Sequence, residues 1–334
     1  MIMASQYEDM TPTIDHGRSG VQLRCPRCGE WIGHLPDSAA AADMTLVCSG
    51  CCLLLSKEQD IWKFLLPERA EHFSRFMTDY QFIREAEGRG SNNTEYYLAL
   101  PYRDLSGNNS QQWTIRACTF RYISRHILPG ISSRDQKKLR ILDLGAGNGW
   151  MSYRLALQGH SPTAVDLLIN DRDGLGAAIH YKNHLTTLFP RFQAELDTLP
   201  FTDDEFDLVI YNASFHYSEN YEKTLAEAIR CVRSDGTILI ADSPWYANDR
   251  SGEQMLSERR EAFIQRYGFP SDGLKSLEYL TDQRLQRMEA SFGIRWQTYT
   301  PNYGIRWQMR PMLAKLHGNR EPSLFRIYTA KAKK

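Results

Sequence analysis

The segment RILDLGAGNGW at residues 140–150 constrains the fold of this chain most, because a short apolar strand runs directly into a loop with three alternating glycines. Glycine adopts positive φ angles and lets a ligand approach the backbone closely, so such a loop is typical of nucleotide-cofactor sites. Residues 150–157 are expected to form the helix whose N-terminal N–H groups face that ligand. A dinucleotide fingerprint has the spacing G-x-G-x-x-G, whereas the spacing here is G-x-G-x-G. The segment therefore predicts the first βα unit of a doubly wound α/β sheet.

This glycine loop, with Asp143 two residues before its first glycine, resembles motif I of the class I S-adenosylmethionine (SAM) methyltransferases. The next predicted strand ends at Asp166, a carboxylate that is placed to accept hydrogen bonds from a ribose diol. Glu195 stands four residues before the leucine of Leu-Pro-Phe, where the resemblance implies contact with the adenine amino group. The cofactor contacts that the resemblance implies are Asp143, Gly145, Ala146, Gly147, Asn148, Asp166, Leu167, Glu195, Leu196 and Asn212.

The rest of the C-terminal half follows the strand and helix order of the same family. The resemblance implies a doubly wound, Rossmann-like class I methyltransferase sheet that ends with antiparallel sixth and seventh strands. We expect this methyltransferase domain to cover residues 139–334, with a helical cap inserted near residues 245–290. The remaining predicted elements are strands at residues 206–212, 236–242, 294–299 and 325–330 and a helix at residues 221–232.

Four of the seven cysteines form two C-x2-C pairs separated by nineteen residues: Cys25, Cys28, Cys48 and Cys51. That spacing is typical of a four-thiolate zinc site, in which each pair presents two sulfurs to one tetrahedral ion. A redox dithiol is disfavoured because two pairs occur together. Disulfides are disfavoured because the N-terminus shows no signal peptide. We therefore expect a structural Zn²⁺ in a small zinc-ribbon domain over residues 21–67.

The predicted ribbon resembles the zinc-ribbon module of the small methyltransferase-activator type. A ribbon also precedes the catalytic domain of the RlmA-type 23S rRNA guanine methyltransferases, whose ribbons carry basic faces. Residues 1–67 here hold five Lys and Arg against eight Asp and Glu, so this ribbon is a poor phosphate clamp. Residues 305–334 hold eight Lys and Arg against one acid, which leaves RNA binding open, although a solvated tail is the alternative.

Residues 68–138, between ribbon and glycine loop, are predicted to form a helical linker and lid. Residues 68–86 have the pattern of an amphipathic helix, and we interpret its apolar stripe as core packing; the stripe consists of Phe73, Phe76, Met77, Tyr80 and Ile83. In small-molecule methyltransferases the region before motif I covers cofactor and substrate. Candidate substrate contacts, each with core packing as the alternative, are Tyr96, Tyr97, Tyr102, Trp113, Arg116 and, past the fifth strand, Trp245.

His216 and Tyr217 follow the fourth strand at its carboxyl end, where open parallel sheets place their chemistry. SAM presents its methyl group on a positive sulfonium, so the protein needs mainly to position a nucleophile and exclude water. If the acceptor carries a proton that must leave, His216 has a suitable pKa for a catalytic base. Packing beneath the cofactor is the alternative for His216.

We expect a SAM-dependent methyltransferase that acts on a small organic molecule at O, N or C, with a motif order resembling the UbiE-type branch. The alternatives are an rRNA or tRNA base methyltransferase and a non-catalytic SAM-binding zinc-ribbon interaction protein. No apolar run approaches the roughly 18 residues that a membrane-spanning helix needs. With no secretory signal visible, a cytoplasmic location without a membrane span is expected. The acceptor and the oligomeric state are not predicted by the sequence.

Overall fold

The computed structural model describes residues 20–35, 45–132 and 138–332, so Lys333 and Lys334 of the basic C-terminal segment lie outside the described residues. The described strands form a two-stranded sheet and a ten-stranded sheet. The strands are β1 (Val21–Arg24), β2 (Trp31–Leu35), β3 (Thr45–Val47), β4 (Leu54–Glu58), β5 (Ile61–Lys63), β6 (Arg140–Leu144), β7 (Ser161–Asp166), β8 (Arg191–Gln193), β9 (Phe206–Asn212), β10 (Val232–Ala241), β11 (Gln297–Tyr299) and β12 (Ile327–Lys331).

The helices flank the large sheet and also fill the segment before β6. They are α1 (Pro67–Ala86), α2 (Thr94–Ala99), α3 (Ser110–Tyr122), α4 (Leu128–Ile131), α5 (Trp150–Leu157), α6 (Tyr221–Cys231), α7 (Asp249–Tyr267), α8 (Asp282–Phe292) and α9 (Ile305–Leu316). A π-helical turn (Ile123–Ile127) joins α3 to α4, and 3-10 helices occupy Leu175–His184 and Phe215–Tyr217. None of the described helices combines the length and apolar character that a bilayer crossing requires.

Seven strands of the large sheet have the order β8-β7-β6-β9-β10-β12-β11. The first five of these are mutually parallel, whereas β12 runs antiparallel to β10. This is the predicted doubly wound α/β sheet. The expectation of two antiparallel strands is wrong for the sixth, because β11 is antiparallel to β12 and so shares the direction of the parallel strands.

The parallel strands are apolar because helices cover them on both faces. Every residue of β9 is buried. Trp150 and Leu155 of α5 belong to the apolar cluster on one face of the sheet, and Leu225 and Ala228 of α6 belong to the cluster on the other. The strand order reverses at β6, between β7 and β9, and in such sheets a ligand crevice opens at the carboxyl ends of the strands at this position.

The N-terminal cysteine segment is joined to the large sheet. Strand β5 pairs in parallel with β8, with Trp62 opposite Phe192, and β4 and β3 extend the sheet from there. The backbone N–H of Arg24 donates to the carbonyl of Pro200 at 3.1 Å. Trp62 and Phe192 also lie in one apolar cluster with Leu23. The segment predicted as a separate ribbon therefore shares a sheet and a core with the domain that follows.

Candidate active site

A glycine loop follows β6 at the strand-order reversal. Gly145 and Gly147 have φ angles of 73° and 54°, which favour glycine. A Cβ on Gly145 would lie 2.2 Å from the Cβ of Ser214, so no larger residue fits there. The loop is held against β7 by hydrogen bonds from the N–H groups of Gly145 and Ala146 to the carbonyl of Val165, at 2.8 and 3.0 Å. These glycines therefore give the loop a backbone that a ligand can approach closely.

Two carboxyl groups lie beside this loop. Asp166 accepts hydrogen bonds from the N–H groups of Gly147 and Leu168, both at 2.8 Å, and burial raises the pKa of Asp166 to about 6. Asp143 accepts a hydrogen bond from the Ser152 hydroxyl at 2.7 Å, and burial raises the pKa of Asp143 to about 7. Asp166 therefore holds the glycine loop while it faces the space above it.

A cleft at the loop encloses about 890 Å³ of space free of protein atoms, including its open mouth. All the residues predicted to contact the cofactor line this cleft except Glu195. The buried Oδ1 of Asn212 in the cleft has no hydrogen-bond partner among the described residues, so it is available to a ligand donor. Asp173, which the sequence did not single out, adds a third carboxylate to the lining.

Glu195 does not line the cleft and forms an ion pair with Arg69. Nε of Arg69 donates to both carboxylate oxygens of Glu195 at 2.9 Å, and Nη2 of Arg69 donates to Oε2 at 2.7 Å. A carboxylate offers roughly four acceptor positions, so the ion pair leaves some of them unused. The predicted contact of Glu195 with adenine stays a prediction, and its neighbour Leu196 lines the cleft.

A second cavity of about 1190 Å³ adjoins the cleft. The two spaces share one wall, formed by Phe76, Tyr80, Arg84, Arg116, Ala213 and Tyr217. Beyond that wall the second cavity is lined by six further titratable side chains: Glu87, Arg89, His216, Asp242, Arg259 and Glu278. The arrangement provides one space at the glycine loop and another directly next to it.

Helix α1 contributes to both spaces. Phe76 and Tyr80 line the cleft and the second cavity, and Ile83 lines the second cavity. The interpretation of the whole stripe as core packing is therefore wrong for Phe76 and Tyr80, whereas Phe73 and Ile83 are buried as predicted. One turn after Tyr80, Arg84 pairs with Asp173 at 2.5 Å inside the cleft. In the sequence, Arg84 continues the spacing of Phe76 and Tyr80, and a charged residue on an otherwise aromatic stripe could have indicated a cavity.

Of the six predicted substrate contacts, Arg116 lies at the shared wall. Tyr97 is fully buried, donates its hydroxyl to the carbonyl of Arg172 at 2.7 Å and stacks on the ring of His180. Tyr96 and Trp113 are buried in the same apolar cluster. These three aromatic residues line neither space, because they form the core that supports the helical segment.

The other two predicted substrate contacts also lie away from the cavities. Tyr102 is 43% exposed, with the guanidinium of Arg154 over its ring at 4.9 Å. Trp245 is buried, and its indole N–H donates to the carboxylate of Asp282 at 3.0 Å. The guanidinium carbon of Arg326 lies over the face of that indole, 3.5 Å from the ring centroid. Both side chains have partners in the protein and line neither space.

The two predicted catalytic residues lie on the 3-10 turn after β9. Tyr217 belongs to the shared wall, and burial raises its pKa well above the ordinary value, so its phenol stays protonated. His216 lines the second cavity, with Nδ1 at 3.3 Å from the hydroxyl of Ser243. Burial lowers the pKa of His216 to about 4, which makes it a neutral and weak base at physiological pH.

Asp242 follows β10 and lines the second cavity. Its Oδ1 accepts from the Thr119 hydroxyl at 2.6 Å, whereas its buried Oδ2 has no hydrogen-bond partner among the described residues. Burial raises the pKa of Asp242 to about 6. Asp242 and Ala213, at the ends of adjacent strands, have φ angles of 51° and 56°, and such backbone strain is concentrated at functional sites.

The four predicted zinc ligands converge in the N-terminal segment. The sulfurs of Cys25 and Cys51 are 3.6 Å apart, those of Cys28 and Cys48 are 3.4 Å apart, and all four lie within 4.8 Å of one another. A tetrahedral Zn²⁺ with bonds of about 2.3 Å separates its sulfurs by about 3.8 Å. The cluster therefore has the composition and dimensions of a four-thiolate zinc site.

The cations of this N-terminal segment are paired with acids. Arg24 lies 3.4 Å from Asp203, and Arg27 lies 3.2 Å from Glu68. Lys57 lies 3.0 Å from Asp60. These pairs reduce the positive potential that phosphate binding requires.

Comparison with known proteins identifies the central segment. Residues 142–240 match the model of a family described as a methyltransferase domain. The chain is 28% identical over 169 residues to a malonyl-[acyl-carrier protein] O-methyltransferase of Geobacter sulfurreducens, covering 49% of this chain and 54% of that one. It is 24% identical over 179 residues to a ubiquinone biosynthesis O-methyltransferase of Rickettsia conorii, covering 54% and 57%.

The chain thus spans little more than half the length of these relatives. A solved structure, the YcgJ protein of Bacillus subtilis, is similar with a TM-score of 0.45 and 15% identity, over 62% of this chain and 97% of that one.

Proposed function

We propose that this chain, whose central segment is a domain of the methyltransferase family, is a SAM-dependent methyltransferase that acts on a small organic acceptor. The observation that carries the proposal is the wall shared by the two spaces, in which Arg116 and Tyr217 line both. When bound, SAM supplies a methyl group on a positively charged sulfonium. An acceptor bound in the second cavity would lie directly beside a cofactor bound in the cleft, because the two spaces adjoin.

The chemistry of the cleft suits SAM. The glycine loop gives a ligand access to the backbone, and the carboxylate of Asp166 can accept hydrogen bonds from ribose hydroxyls. Asp166, whose pKa of about 6 leaves it ionised at neutral pH, provides negative charge for a cationic cofactor. Asn212 Oδ1, which lacks a partner among the described residues, can accept a hydrogen bond from the amino group of the cofactor. We expect Leu196 to pack against the adenine.

We assign proton removal from the acceptor to Asp242 in place of His216. The buried Oδ2 of Asp242 is free of protein hydrogen bonds in the described structure, and Asp242 lines the second cavity. Its pKa, raised by burial to about 6, leaves it deprotonated at neutral pH and a stronger base than His216, whose pKa is about 4. Tyr217, a protonated phenol, then acts as a hydrogen-bond donor at the wall.

The four-cysteine cluster is proposed to hold one structural Zn²⁺. Four thiolates complete a tetrahedral shell, which leaves no position for catalysis. The ion would link the hairpin of β1 and β2 to the strands that extend the large sheet. Its role is therefore to stabilise the edge of the domain.

A small organic acceptor is favoured over RNA by the charges of the described residues. The ribbon cations are paired, as described above. In the C-terminal segment Arg320 lies 2.9 Å from Glu258 and Arg326 lies 3.6 Å from Asp282, so two of its cations are also paired. Both named relatives carry names of enzymes that methylate non-nucleic-acid substrates, which is consistent with this choice.

Calorimetry with S-adenosylhomocysteine, SAM, NAD and ATP tests the cofactor assignment. We expect one binding site per chain for the first two ligands and far weaker binding of the last two, because the G-x-G-x-G loop lacks the dinucleotide spacing. Tight NAD binding, or no binding of S-adenosylhomocysteine, would contradict the proposed function.

A further inference from the structure

The second cavity contains a guanidinium group that no acid of the described structure neutralises by direct contact. Arg116 lies on α3, lines both spaces, and makes no ion pair with any described residue. The ring of Trp113 lies 4.8 Å from its guanidinium, and the charge of Asp242 acts on it without an ion pair between the two. Burial, together with the charges of Arg89 and Arg84, lowers the pKa of Arg116 to about 10, so it remains charged at neutral pH.

The other arginines that line the second cavity have acidic partners. Arg84 pairs with Asp173 at 2.5 Å, and Arg259 pairs with Glu278 at 2.8 Å. The third, Arg89, pairs with Glu87 at 2.7 Å. Arg116 therefore differs from them in having its guanidinium available to a ligand.

Arg89 supplies a second free donor. Its side chain is only 4% exposed and lines the second cavity. Nε donates to Glu87 and Nη2 donates to Gln112, but the buried Nη1 has no hydrogen-bond partner among the described residues. A buried donor without a partner costs free energy, so such an N–H group on a residue that lines a cavity indicates a ligand acceptor.

The chemistry of these donors selects an anion. A guanidinium presents its N–H groups in a planar fork that matches the two oxygens of a carboxylate. Arg116 is the arginine of this cavity without an ion pair among the described residues, so its fork can contact one such group directly. The carboxylates of Asp242 and Glu278 also line the cavity, and they disfavour a dianion such as a phosphate monoester.

We propose that the second cavity binds the methyl acceptor through a carboxylate group, held by Arg116 together with Nη1 of Arg89. This inference rests on the proposed function, since it names the class of acceptor: a small organic acid. The aromatic side chains of Phe76, Phe263 and Phe325 in the same cavity provide an apolar surface for the remainder of that molecule.

The test compares small acids with their primary amides, in the full chain saturated with S-adenosylhomocysteine. Benzoate and benzamide, phenylacetate and phenylacetamide, and succinate and succinamate differ mainly in charge at one group. Saturation-transfer NMR titrations should give binding of at least one acid, with its amide weaker by at least about tenfold. Absence of acid binding, or equal binding of acid and amide, would overturn the proposal.

The matched variants are Arg116→Gln and Arg121→Gln, which remove the same charge from the same helix. Arg121 is exposed and lines neither cavity, so its variant should bind the acid as the wild type does. Arg116→Gln should bind the acid at least about tenfold more weakly. If Arg116→Gln does not fold, Arg116→Lys keeps the charge but loses the fork, and unchanged acid binding by that variant would overturn the proposal.

A second comparison separates the acceptor carboxylate from the carboxylate of the cofactor, because Arg116 also lines the cleft. S-adenosylhomocysteine has a carboxylate, whereas 5′-methylthioadenosine has none. We expect Arg116→Gln to bind both as the wild type does. If only S-adenosylhomocysteine binding is weakened, Arg116 serves the cofactor, and this inference fails while the proposed function stands. If the wild type binds neither nucleoside, the proposed function itself fails.

Discussion

Arg69 at the start of α1 holds the carboxylate of Glu195 in an ion pair with N–O distances of 2.7 to 2.9 Å. The pair joins the helical segment before β6 to the loop after β8, where an adenine contact is predicted. Glu195 is 5% exposed, so removing Arg69 would leave a buried carboxylate without its ion-pair partner. The helical segment is thus tied electrostatically to the cofactor cleft.

Replacing Arg69 by Gln should leave Glu195 without its cation. We expect a loss of about 1–3 kcal/mol in unfolding free energy and weaker binding of S-adenosylhomocysteine, because the carboxylate loses its fixed orientation. Denaturant unfolding and calorimetry measure the two effects. Arg75→Gln is the matched control, since Arg75 lies on the same helix with its side chain 61% exposed and should change stability by less than about 1 kcal/mol. Equal effects of the two variants would contradict a specific role for Arg69.

Replacing Asp166 by Ala should weaken binding of S-adenosylhomocysteine by about 1–3 kcal/mol, the range for unpaired buried polar groups. The variant removes both the expected ribose acceptor and the hydrogen bond to the N–H of Gly147. Calorimetry should also give little change for Asp171→Ala, an exposed carboxylate in the loop after β7. An unchanged affinity of Asp166→Ala would remove this residue from the cofactor site.

The assignment of proton removal to Asp242 predicts a pH dependence. Its pKa is raised by burial to about 6, and below that pH the protonated carboxyl cannot accept a proton, so kcat/KM should rise between pH 5 and 7. Asp242→Asn should lower the rate by about 10²-fold or more and abolish this rise. His216→Gln should leave the midpoint in place, because His216, with a pKa of about 4, is already neutral in this range. A midpoint that moves in His216→Gln but not in Asp242→Asn would restore His216 as the base.

The cysteine cluster predicts about one zinc ion per chain. The Cys25→Ser/Cys48→Ser double variant should lose the ion, because two of four thiolates are removed, and its N-terminal segment should become less soluble. Elemental analysis of the purified proteins measures the stoichiometry. Cys231→Ser is the matched control, since Cys231 is buried outside the cluster and its replacement should retain zinc. Stoichiometric zinc in the double variant would exclude the four-thiolate assignment.

The order of the central fold was predictable because its signals are local. Few loops other than ligand-binding loops need glycines at the spacing G-x-G-x-G. The strand that ends at Asp166 is marked by a carboxylate that follows apolar residues. The pairing of β5 with β8 was not predictable, because three residues such as Ile61–Lys63 carry too little periodicity to specify a partner strand. The parallel direction of β11 has the same cause, since it depends on which strand lies beside it.

The cleft was easier to predict than the second cavity for a related reason. Residues that line the cleft follow a contiguous loop and the ends of adjacent strands. Phe76 and Tyr80 have the helical spacing of core residues. A helix face that borders a cavity has the same spacing, so the pattern does not distinguish the two. Whether an arginine forms an ion pair depends on its distances to acids on other elements. The sequence alone therefore cannot show that Arg84 is paired and Arg116 is not.

The most direct test of the account follows a labelled methyl group. The protein is incubated with methyl-labelled SAM and a cell extract separated into a small-molecule fraction and total RNA. The account predicts label in a compound of the small-molecule fraction, reduced in the Asp166→Ala variant when SAM is below saturation, and weak RNA binding that disappears as salt rises. Specific label in one RNA species, abolished when the Lys and Arg of residues 306–334 are neutralised, would contradict it and assign RNA recognition to the chain.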